Sequence, residues 1–352
     1  MTIDLTGGLP DAREFVFPAQ PENPDMCESV NAWIWDDGVE FGLPRVAIEA
    51  VADQWETHDL QVNFAFADGR ALQIFKPGEV HDPLGADGKP RVLGAGALSF
   101  ELVEPFRKWR MHLHGEAIDT TAAAQIAGLR TMERSPDRVQ VDVELEFEHV
   151  VPPWENGALR EEAAYVLEHQ EEGALMGGPR FEQLARATGT VNVGSVERTL
   201  RGGALRIRRQ GIRRLATFWG HAWQSSLFPS GRAFGYIVYP ERADGKPTYN
   251  EGYLFEGARS DGGGELVPAR IVQAPWLRDC QGAGEDVSVV METADGRIHE
   301  IAGELQLPTY HGMVPEDGVG LVLQQSIVRY TYDGETANGM MERSMPSDLV
   351  DV

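Results

Sequence analysis

Hydrophobic and polar residues alternate along several stretches of the chain. In VQVDVELEFEHV, residues 139–150, every second side chain from 139 to 147 is apolar and those between are polar or acidic. Because successive side chains of a strand point to opposite faces of the sheet, this pattern predicts a long strand with one wetted face. LQVNFAFADGR, residues 60–70, alternates in the same way, and shorter stretches of this kind continue to residue 335. The pattern therefore predicts strands along most of the chain.

Asp-Gly pairs separate many of the predicted strands. Among them are the pairs at positions 68–69, 87–88, 244–245, 261–262, 295–296 and 333–334. Aspartate and glycine tolerate the positive φ angles of two-residue hairpins, so these pairs predict antiparallel meanders. Helical character is confined to the stretches 45–56, 119–132 and 158–172, too few for a parallel β/α fold. The predicted class is all-β with minor helix, its strands closed into barrels or packed sheets that hide their edges.

The length of 352 residues favours two domains over a single core. The Glu-rich stretch 158–172 and GALMGGP at 173–179 together form the best candidate for a linker. We therefore predict an extended N-terminal segment over 1–27, an N-terminal β domain over 28–178 that ends in the linker helix, and a C-terminal β domain over 179–352.

Charge and composition argue against several classes of partner. With 31 basic and 55 acidic residues the net charge is −24, which repels phosphate backbones and anionic lipid surfaces, so nucleic acid is not expected to bind. Neither a signal peptide nor a long apolar span is found, so we expect no stable membrane insertion and a cytoplasmic location. A predicted strand carries a cluster of basic residues, for which a solvated face is the better interpretation and a phosphate-binding role the alternative: Arg206, Arg208, Arg209, Arg213 and Arg214. Cys27 and Cys280 lack metal-type spacing and suit reduced thiols.

TFWGHAWQSS, residues 217–226, is the first candidate for a site. On a strand, Trp219, His221 and Trp223 share one face, which places an imidazole between two indoles. Such a face is either ordinary core around a satisfied histidine or the floor of an apolar site, and spacing alone leaves both open. Burial among aromatic rings would lower the pKa of His221 and keep it neutral.

TYNEGYLFEG, residues 248–257, is the second candidate. Tyr249 and Glu251 share a strand face, which Tyr253 continues. A carboxylate on a strand is usually solvated, but in a desolvated cavity the pKa of Glu251 would rise and the group could act as a general acid.

Two further stretches give weaker signals. His112, His114 and Glu116 share one strand face, a spacing found in metal-binding barrels, but no third and fourth ligands can be identified, and surface or pocket-lining histidines are the alternative. We therefore predict no metal and no other cofactor. In DGETANGMMERS, residues 333–344, Gly339 precedes Glu342 on a predicted strand, and Glu342 is a candidate pocket residue. No P-loop, dinucleotide fingerprint, Gly-x-Ser-x-Gly elbow or HExxH helix occurs.

Five segments, taken in their order along the chain, resemble a two-domain lipocalin-like superfamily. It includes carotenoid 1,2-hydratases (hydroxyneurosporene synthases), fungal Diels–Alderases and uncharacterised bacterial relatives. They are LSFELVEPFRKWRMHLHG (98–115), RFEQLARATGTVNVG (180–194), RRLATFWGHAWQSS (213–226), GYLFEG (252–257) and VRYTYDGETANGMMERS (328–344). The hydratases carry a His-x-Trp pair, matched by His221 and Trp223, and a Tyr-x-Asp pair, matched by Tyr249 with Glu251 in place of aspartate. The resemblance implies two tandem lipocalin-like β domains.

The resemblance also implies an enzyme that hydrates or cyclises a double bond of a hydrophobic isoprenoid, steroid or polyketide, without a cofactor. Glu251 is then the predicted acid, supported by Tyr249, while His221 positions or deprotonates the water or internal nucleophile. The pocket is predicted from Trp219, Trp223, Tyr236, Tyr253 and Glu342. Two alternatives stay open: a pericyclase-like cyclase without net proton transfer, and a carrier that only shields a hydrophobic ligand. A homodimer is also an open expectation.

Overall fold

The structure, a computed structural model, describes residues 3–131, 135–169, 179–212, 218–257, 264–313 and 320–352. Within these ranges the helices are α1 (Ala122–Thr131) and α2 (Glu161–Glu168), with single 3-10 turns at Asp11–Arg13, Ala52–Gln54 and Ser347–Leu349. The strands, in chain order, are β1 (Met26–Asp36), β2 (Phe41–Val51), β3 (Thr57–Phe66), β4 (Arg70–Glu79), β5 (Val92–Ala95), β6 (Leu98–Glu104), β7 (Lys108–Thr121), β8 (Arg138–His149), β9 (Trp154–Glu155), β10 (Arg180–Val193), β11 (Val196–Ile212), β12 (His221–Leu227), β13 (Ala233–Val238), β14 (Asn250–Phe255), β15 (Val267–Gln273), β16 (Val289–Thr293), β17 (Ile298–Met313), β18 (Leu321–Tyr332) and β19 (Glu335–Pro346).

The strands form two antiparallel sheets. The first runs β4-β3-β2-β1-β11-β10-β8-β7-β6-β5, with β9 paired to β10. Because β4 also pairs with β7, eight of its strands form a closed circuit around an apolar core, which we call the first barrel. The second barrel is closed by β12 to β19 in chain order. The predicted all-β class with antiparallel barrels is confirmed.

The alternation of side chains accounts for most of these strands. In β8 the apolar residues Val141, Val143, Leu145 and Phe147 are buried, as the pattern predicts. The hairpin between β18 and β19 has two loop residues, Asp333 and Gly334, with φ angles of 47° and 79°. Positive φ at both positions is the type I′ geometry that matches the twist of the flanking strands. The Asp-Gly pair at 261–262 lies outside the described residues.

One of the three helical predictions is wrong. Most of residues 45–56 continue β2, and only Ala52–Gln54 form a 3-10 turn. Val46 and Ile48 are buried between β1 and β3, so the alternation within RVAIEA, residues 45–50, dominates over its helix propensity. The other two stretches contain α1 and α2.

Strand pairing differs from the predicted division at residue 178. β10 pairs with β8 and β11 pairs with β1, so residues 180–212 complete the first barrel instead of starting the second. The linker-like composition suggested a boundary before β10 and β11. The two strands belong to the first barrel because of their long-range pairing with β8 and β1, which composition does not reveal. Residues 170–178 of the expected linker lie outside the described residues.

The predicted solvated arginine face is also wrong. Arg206, Arg208 and Arg209 are at most 3% exposed. Arg206 pairs with Glu14 and so holds the N-terminal segment against β11, while Arg208 pairs with Glu28 of β1. Arg213 and Arg214 lie outside the described residues.

The two barrels pack against each other through a cluster of buried aromatic and aliphatic side chains, here called the contact layer. The first barrel and its loops contribute Trp33, Trp35 and Trp154, and the second contributes Trp223 and Tyr249 among others. Of the helices in the part of the chain that the structure describes, none is both long and apolar enough to cross a membrane.

Candidate active site

The outward face of the second barrel places most of the predicted site residues in the contact layer. Side chains alternate along β12, so Ala222 joins the barrel core while Trp223 points away from it into the layer. Strand register then aligns Glu342, Trp223, Ile237 and Glu251 as neighbours across four strands. Neighbouring strands are about 4.8 Å apart, so Trp223 and Glu251 are about 10 Å apart at the backbone. The candidate site lies between the barrels and not inside one.

Tyr236 is the predicted pocket residue that lies elsewhere. It points into the second barrel, where its hydroxyl donates to Gln224 Oε1 at 2.8 Å. Its position in β13 is one residue out of phase with Ile237 and Tyr239, which face the contact layer. The alternation that places Trp223 in the layer therefore excludes Tyr236 from it.

Glu251 is a completely buried carboxyl group. Its Oε1 accepts the Leu159 N–H at 2.8 Å, and its Oε2 accepts the Gly157 N–H and the Tyr249 hydroxyl. Burial raises the pKa of Glu251 above its ordinary value, although the hydrogen bonds from Tyr249 and the two amides act in the opposite direction. Burial likewise raises the pKa of Tyr249 well above its ordinary value. The pair thus holds two groups with raised pKa values at a position shielded from water.

Glu182 on β10 is a second buried carboxyl group, which the sequence reasoning missed. It lies 3.0 Å from Arg180 Nη2, and its Oε2 accepts the Trp223 indole N–H at 3.1 Å. Burial raises the pKa of Glu182 to about 7, an increase that the Arg180 charge limits. The signal was present in RFEQL, where opposite charges two residues apart share one face of a predicted strand, but that strand was assigned to the other domain.

Asn156 connects the two carboxyl groups. Its Oδ1 accepts from Arg180 Nε at 2.7 Å. Its Nδ2 lies 3.5 Å from Glu182 Oε1 and 3.4 Å from the Tyr249 hydroxyl oxygen. A continuous line of polar groups therefore runs from Glu182 through Asn156 and Tyr249 to Glu251.

His221 lies in the same layer but belongs to a different polar cluster. Its Nδ1 is 2.8 Å from Ser344 Oγ, and its Nε2 is 3.3 Å from Glu342 Oε1. Tyr239 stands between His221 and Tyr249 in the register of β12 to β14. His221 thus hydrogen-bonds to Ser344 through Nδ1 and faces the Glu342 carboxylate through Nε2, on the side of the layer away from Glu251.

Glu342 is the anionic centre of that cluster. Burial alone would raise its pKa, but the contacts with His221, Arg45 and Gln325 lower it to about 2. Gln325 donates to Glu342 Oε2 at 2.6 Å and accepts from Asn63 Nδ2 of the first barrel at 2.6 Å. Glu342, a predicted pocket residue, therefore links the two barrels as an ion.

Aromatic rings fill the space around the two clusters. Trp223 packs edge-on against Trp33 with ring centroids 4.4 Å apart, and Tyr253 packs against Trp154 at 5.4 Å. Trp219 is half-buried, and its indole N–H donates to Pro240 O at 2.9 Å. Of the predicted pocket residues, Trp223 and Tyr253 therefore pack against rings of the first barrel, Trp33 and Trp154.

Comparison with known proteins gives the family of the chain. A family model described as a domain of unknown function, DUF7064, matches residues 11–347. The chain belongs to that family. A search of curated protein sequences found no match.

Comparison with solved structures gave matches of low sequence identity. Kievitone hydratase from Nectria haematococca aligns at 10% identity and a TM-score of 0.49, over 98% of this chain and 97% of that one. CghA aligns at 11% identity and a TM-score of 0.49, over 98% of this chain and 96% of that one. CghA with Sch210972 aligns at 10% identity and a TM-score of 0.48, over 91% and 88%. At these values the similarity assigns no activity to this DUF7064 protein.

The histidines considered as metal ligands lie on the outer face of β7. The side chains of His112 and His114 are 51% and 76% exposed, opposite Glu144 and Asp142 of β8. Within the described residues, no group of three or more histidine, cysteine, aspartate or glutamate side chains is arranged to hold a metal ion. A cleft in the first barrel is lined by other residues, including Phe17, Trp55, His58 and Leu93.

Proposed function

We propose that this protein is a cofactor-independent enzyme that hydrates or cyclises a carbon–carbon double bond of a hydrophobic isoprenoid, steroid or polyketide. The observation that carries the proposal is the completely buried Glu251, whose carboxyl group is held by Tyr249 and two backbone amides and has a raised pKa. A carboxylic acid that keeps its proton near neutral pH can donate it to an alkene.

Protonation of an alkene leaves a positive charge on the adjacent carbon. The indole faces of Trp33 and Trp223 lie in the same layer and would stabilise that charge through their π electrons. Two guanidinium groups already lie over these rings, Arg45 at 4.6 Å from the Trp33 centroid and Arg180 at 5.1 Å from that of Trp223. A substrate cation would therefore use the parts of the two rings that these guanidinium groups leave open. Attack by water then gives an alcohol, and attack by a second double bond gives a ring.

Substrate entry requires the aromatic side chains of the contact layer to separate. Trp219 is the half-buried member of this set, and it contacts Tyr239, which contacts Tyr249 in turn. We propose that a flat unsaturated molecule enters along this row of rings, with Tyr253 and Trp154 closing the far side.

The test is a Glu251→Gln variant, which keeps the size of the side chain and removes its acidic proton. The wild type is incubated in H₂¹⁸O with farnesol, squalene, cholesterol, a linear polyene ketone and compounds extracted from the purified protein, and products are identified by mass spectrometry. Hydration incorporates ¹⁸O, whereas cyclisation keeps the mass and changes the retention time. Glu251→Gln should lower turnover by about 10²–10⁴-fold, the usual contribution of a general acid.

Glu256→Gln, at an exposed position just beyond β14, is the matched control and should keep wild-type turnover. Full activity of Glu251→Gln on a cyclised compound would instead indicate a pericyclase that works without net proton transfer. Release of the extracted compound unchanged, with no product from any substrate, would indicate a carrier.

A further inference from the structure

Two buried carboxyl groups, not one, face the centre of the contact layer. Glu182 and Glu251 come from different barrels, and both bond to the segment Asn156–Leu159. Glu182 contacts the Asn156 side chain, and Glu251 accepts from the Gly157 and Leu159 amides. Trp223, whose ring faces this centre, donates to Glu182. An acid–base reaction between the barrels would therefore have a carboxyl group on each side.

The surroundings of the two groups differ in charge. Glu182 has the Arg180 guanidinium at 3.0 Å, while Glu251 bonds to the neutral Tyr249 hydroxyl and two amides, and the charge of Arg160 acts on it from beyond ion-pair distance. The Arg180 cation favours the anionic form of Glu182 and limits the rise in its pKa that burial causes. The arrangement resembles other pairs of carboxyl groups whose environments separate an acid from a base.

We propose that Glu182 is the general base of the reaction for which Glu251 is the acid, with Arg180 and Asn156 as positioning residues. The inference rests on the proposed function and deepens it.

The proton balance of the reaction follows from these roles. In hydration, Glu251 gives its proton to one alkene carbon, the oxygen of a water molecule bonds to the other, and Glu182 removes a proton from that oxygen. In cyclisation, Glu182 removes a proton from the carbon next to the cation after the ring bond forms. Either way Glu251 ends ionised and Glu182 protonated. Transfer of one proton from Glu182 to Glu251 through water or a substrate hydroxyl restores the starting state.

His221 is the base that the sequence suggested, and its contacts make it the weaker candidate. Ser344 and Glu342 engage its two nitrogens, and Tyr239 separates it from Tyr249. Glu182, by contrast, is joined to the Tyr249 hydroxyl through the Asn156 amide.

The charged and titratable groups around Glu182 set the expected pH dependence. They are Arg180 on its own strand, and Glu251 and Tyr253 on β14, while Trp223 and Asn156 are neutral contacts. Burial raises the pKa of Glu182 to about 7. A base must be ionised, so turnover should fall as the pH decreases through about 7.

The experiment compares Glu182→Gln, Glu182→Asp and Arg180→Gln with the wild type, using the compound from the panel above that the wild type converts. Glu182→Gln should lower turnover at least 100-fold while the compound still binds, and Glu182→Asp should recover part of that loss because it keeps the carboxylate. Glu197→Gln, an exposed carboxyl on the neighbouring β11, is the matched control.

Arg180→Gln tests the role of Glu182 through the pH profile of turnover, which would not shift if Arg180 only supported the fold. Without its cation, the pKa of Glu182 should rise, and the acidic limb of the pH profile should shift to higher pH by about one unit or more. This variant decides the question if Glu182→Gln does not fold.

Turnover of Glu182→Gln within twofold of wild type, with Glu251→Gln inactive, would overturn the role of Glu182 and leave the proposed function in place. An unshifted acidic limb in Arg180→Gln would overturn it as well. If both glutamine variants were fully active, the proposed function itself would fail.

Discussion

At the scale of single residues, the ionised Glu342 links the stability of the protein to pH. Its pKa in the folded protein is about 2, below the ordinary value of 4.5, because of its contacts with His221, Arg45 and Gln325. A lowered pKa stabilises the folded state at pH values above 4.5, and this contribution is lost as the pH falls from 4.5 to 2. Urea denaturation should therefore show that Glu342→Gln lowers the free energy of unfolding by a few kcal/mol at pH 6 and by much less at pH 3. A loss of equal size at both pH values would mean that the carboxylate charge is not what stabilises the cluster. Glu265→Gln, at an exposed position, is the control for replacing a glutamate by glutamine.

The residues of the candidate site differ in how far the sequence could predict them. Tyr249 and Glu251 are two apart on one strand, so their shared face follows from alternation alone. That this face is buried depends on Trp154 and the Asn156–Leu159 segment of the first barrel, which no local pattern in β14 reveals. Glu182 depends on long-range pairing in the same way, because β10 must join the first barrel before its carboxyl group can meet Trp223.

At the scale of elements, β11 holds the N-terminal segment through an ion pair buried within the first barrel. Glu14 accepts from Arg206 Nη2 at 2.7 Å and from the Trp109 indole N–H at 2.6 Å. Removing one partner of a buried pair leaves an uncompensated charge. We expect Glu14→Gln to lower the free energy of unfolding by about 3–5 kcal/mol, measured by urea denaturation.

Two variants test whether the unpaired charge causes that loss. Glu22→Gln, in the same segment but exposed, should have no measurable effect. Glu14→Leu combined with Arg206→Met removes both charges and should recover much of the stability, because apolar residues of similar volume often replace a buried pair without loss. If the double variant were as unstable as Glu14→Gln, shape and not charge would hold the segment.

The elements themselves were largely predictable, and their partners were not. Alternation and Asp-Gly pairs indicate strands and hairpins because both are local, as β8 and the turn at Asp333–Gly334 show. The same local pattern predicted that Arg206 and Arg208 would be solvated, because a polar residue on a strand usually faces water. Their carboxylate partners are Glu14 and Glu28, far away in sequence, and these pairings appear only when the barrel is assembled.

At the scale of the whole molecule, the contact layer should make the two barrels unfold as one unit. Gly42 of β2 lies against Ile327 of β18, and a Cβ atom at position 42 would come within 2.7 Å of Ile327 Cγ1. Gly42→Ala should therefore push the barrels apart and lower the free energy of unfolding by about 1–3 kcal/mol, as overpacking does. Gly282→Ala, where the added atom would meet nothing within 4 Å, controls for the change from glycine to alanine.

The double variant shows whether the loss originates between the barrels. Ile327→Ala creates space at the same point, so Gly42→Ala should cost less in that background than in the wild type, with a coupling free energy of about 0.5–3 kcal/mol. Tryptophan fluorescence and far-UV circular dichroism should report one coincident unfolding transition in urea, because tryptophans of both barrels meet in the layer. Additive losses together with two separate transitions would mean that the barrels fold independently. Glu182 and Glu251 would then meet only through a contact that opens without unfolding either barrel.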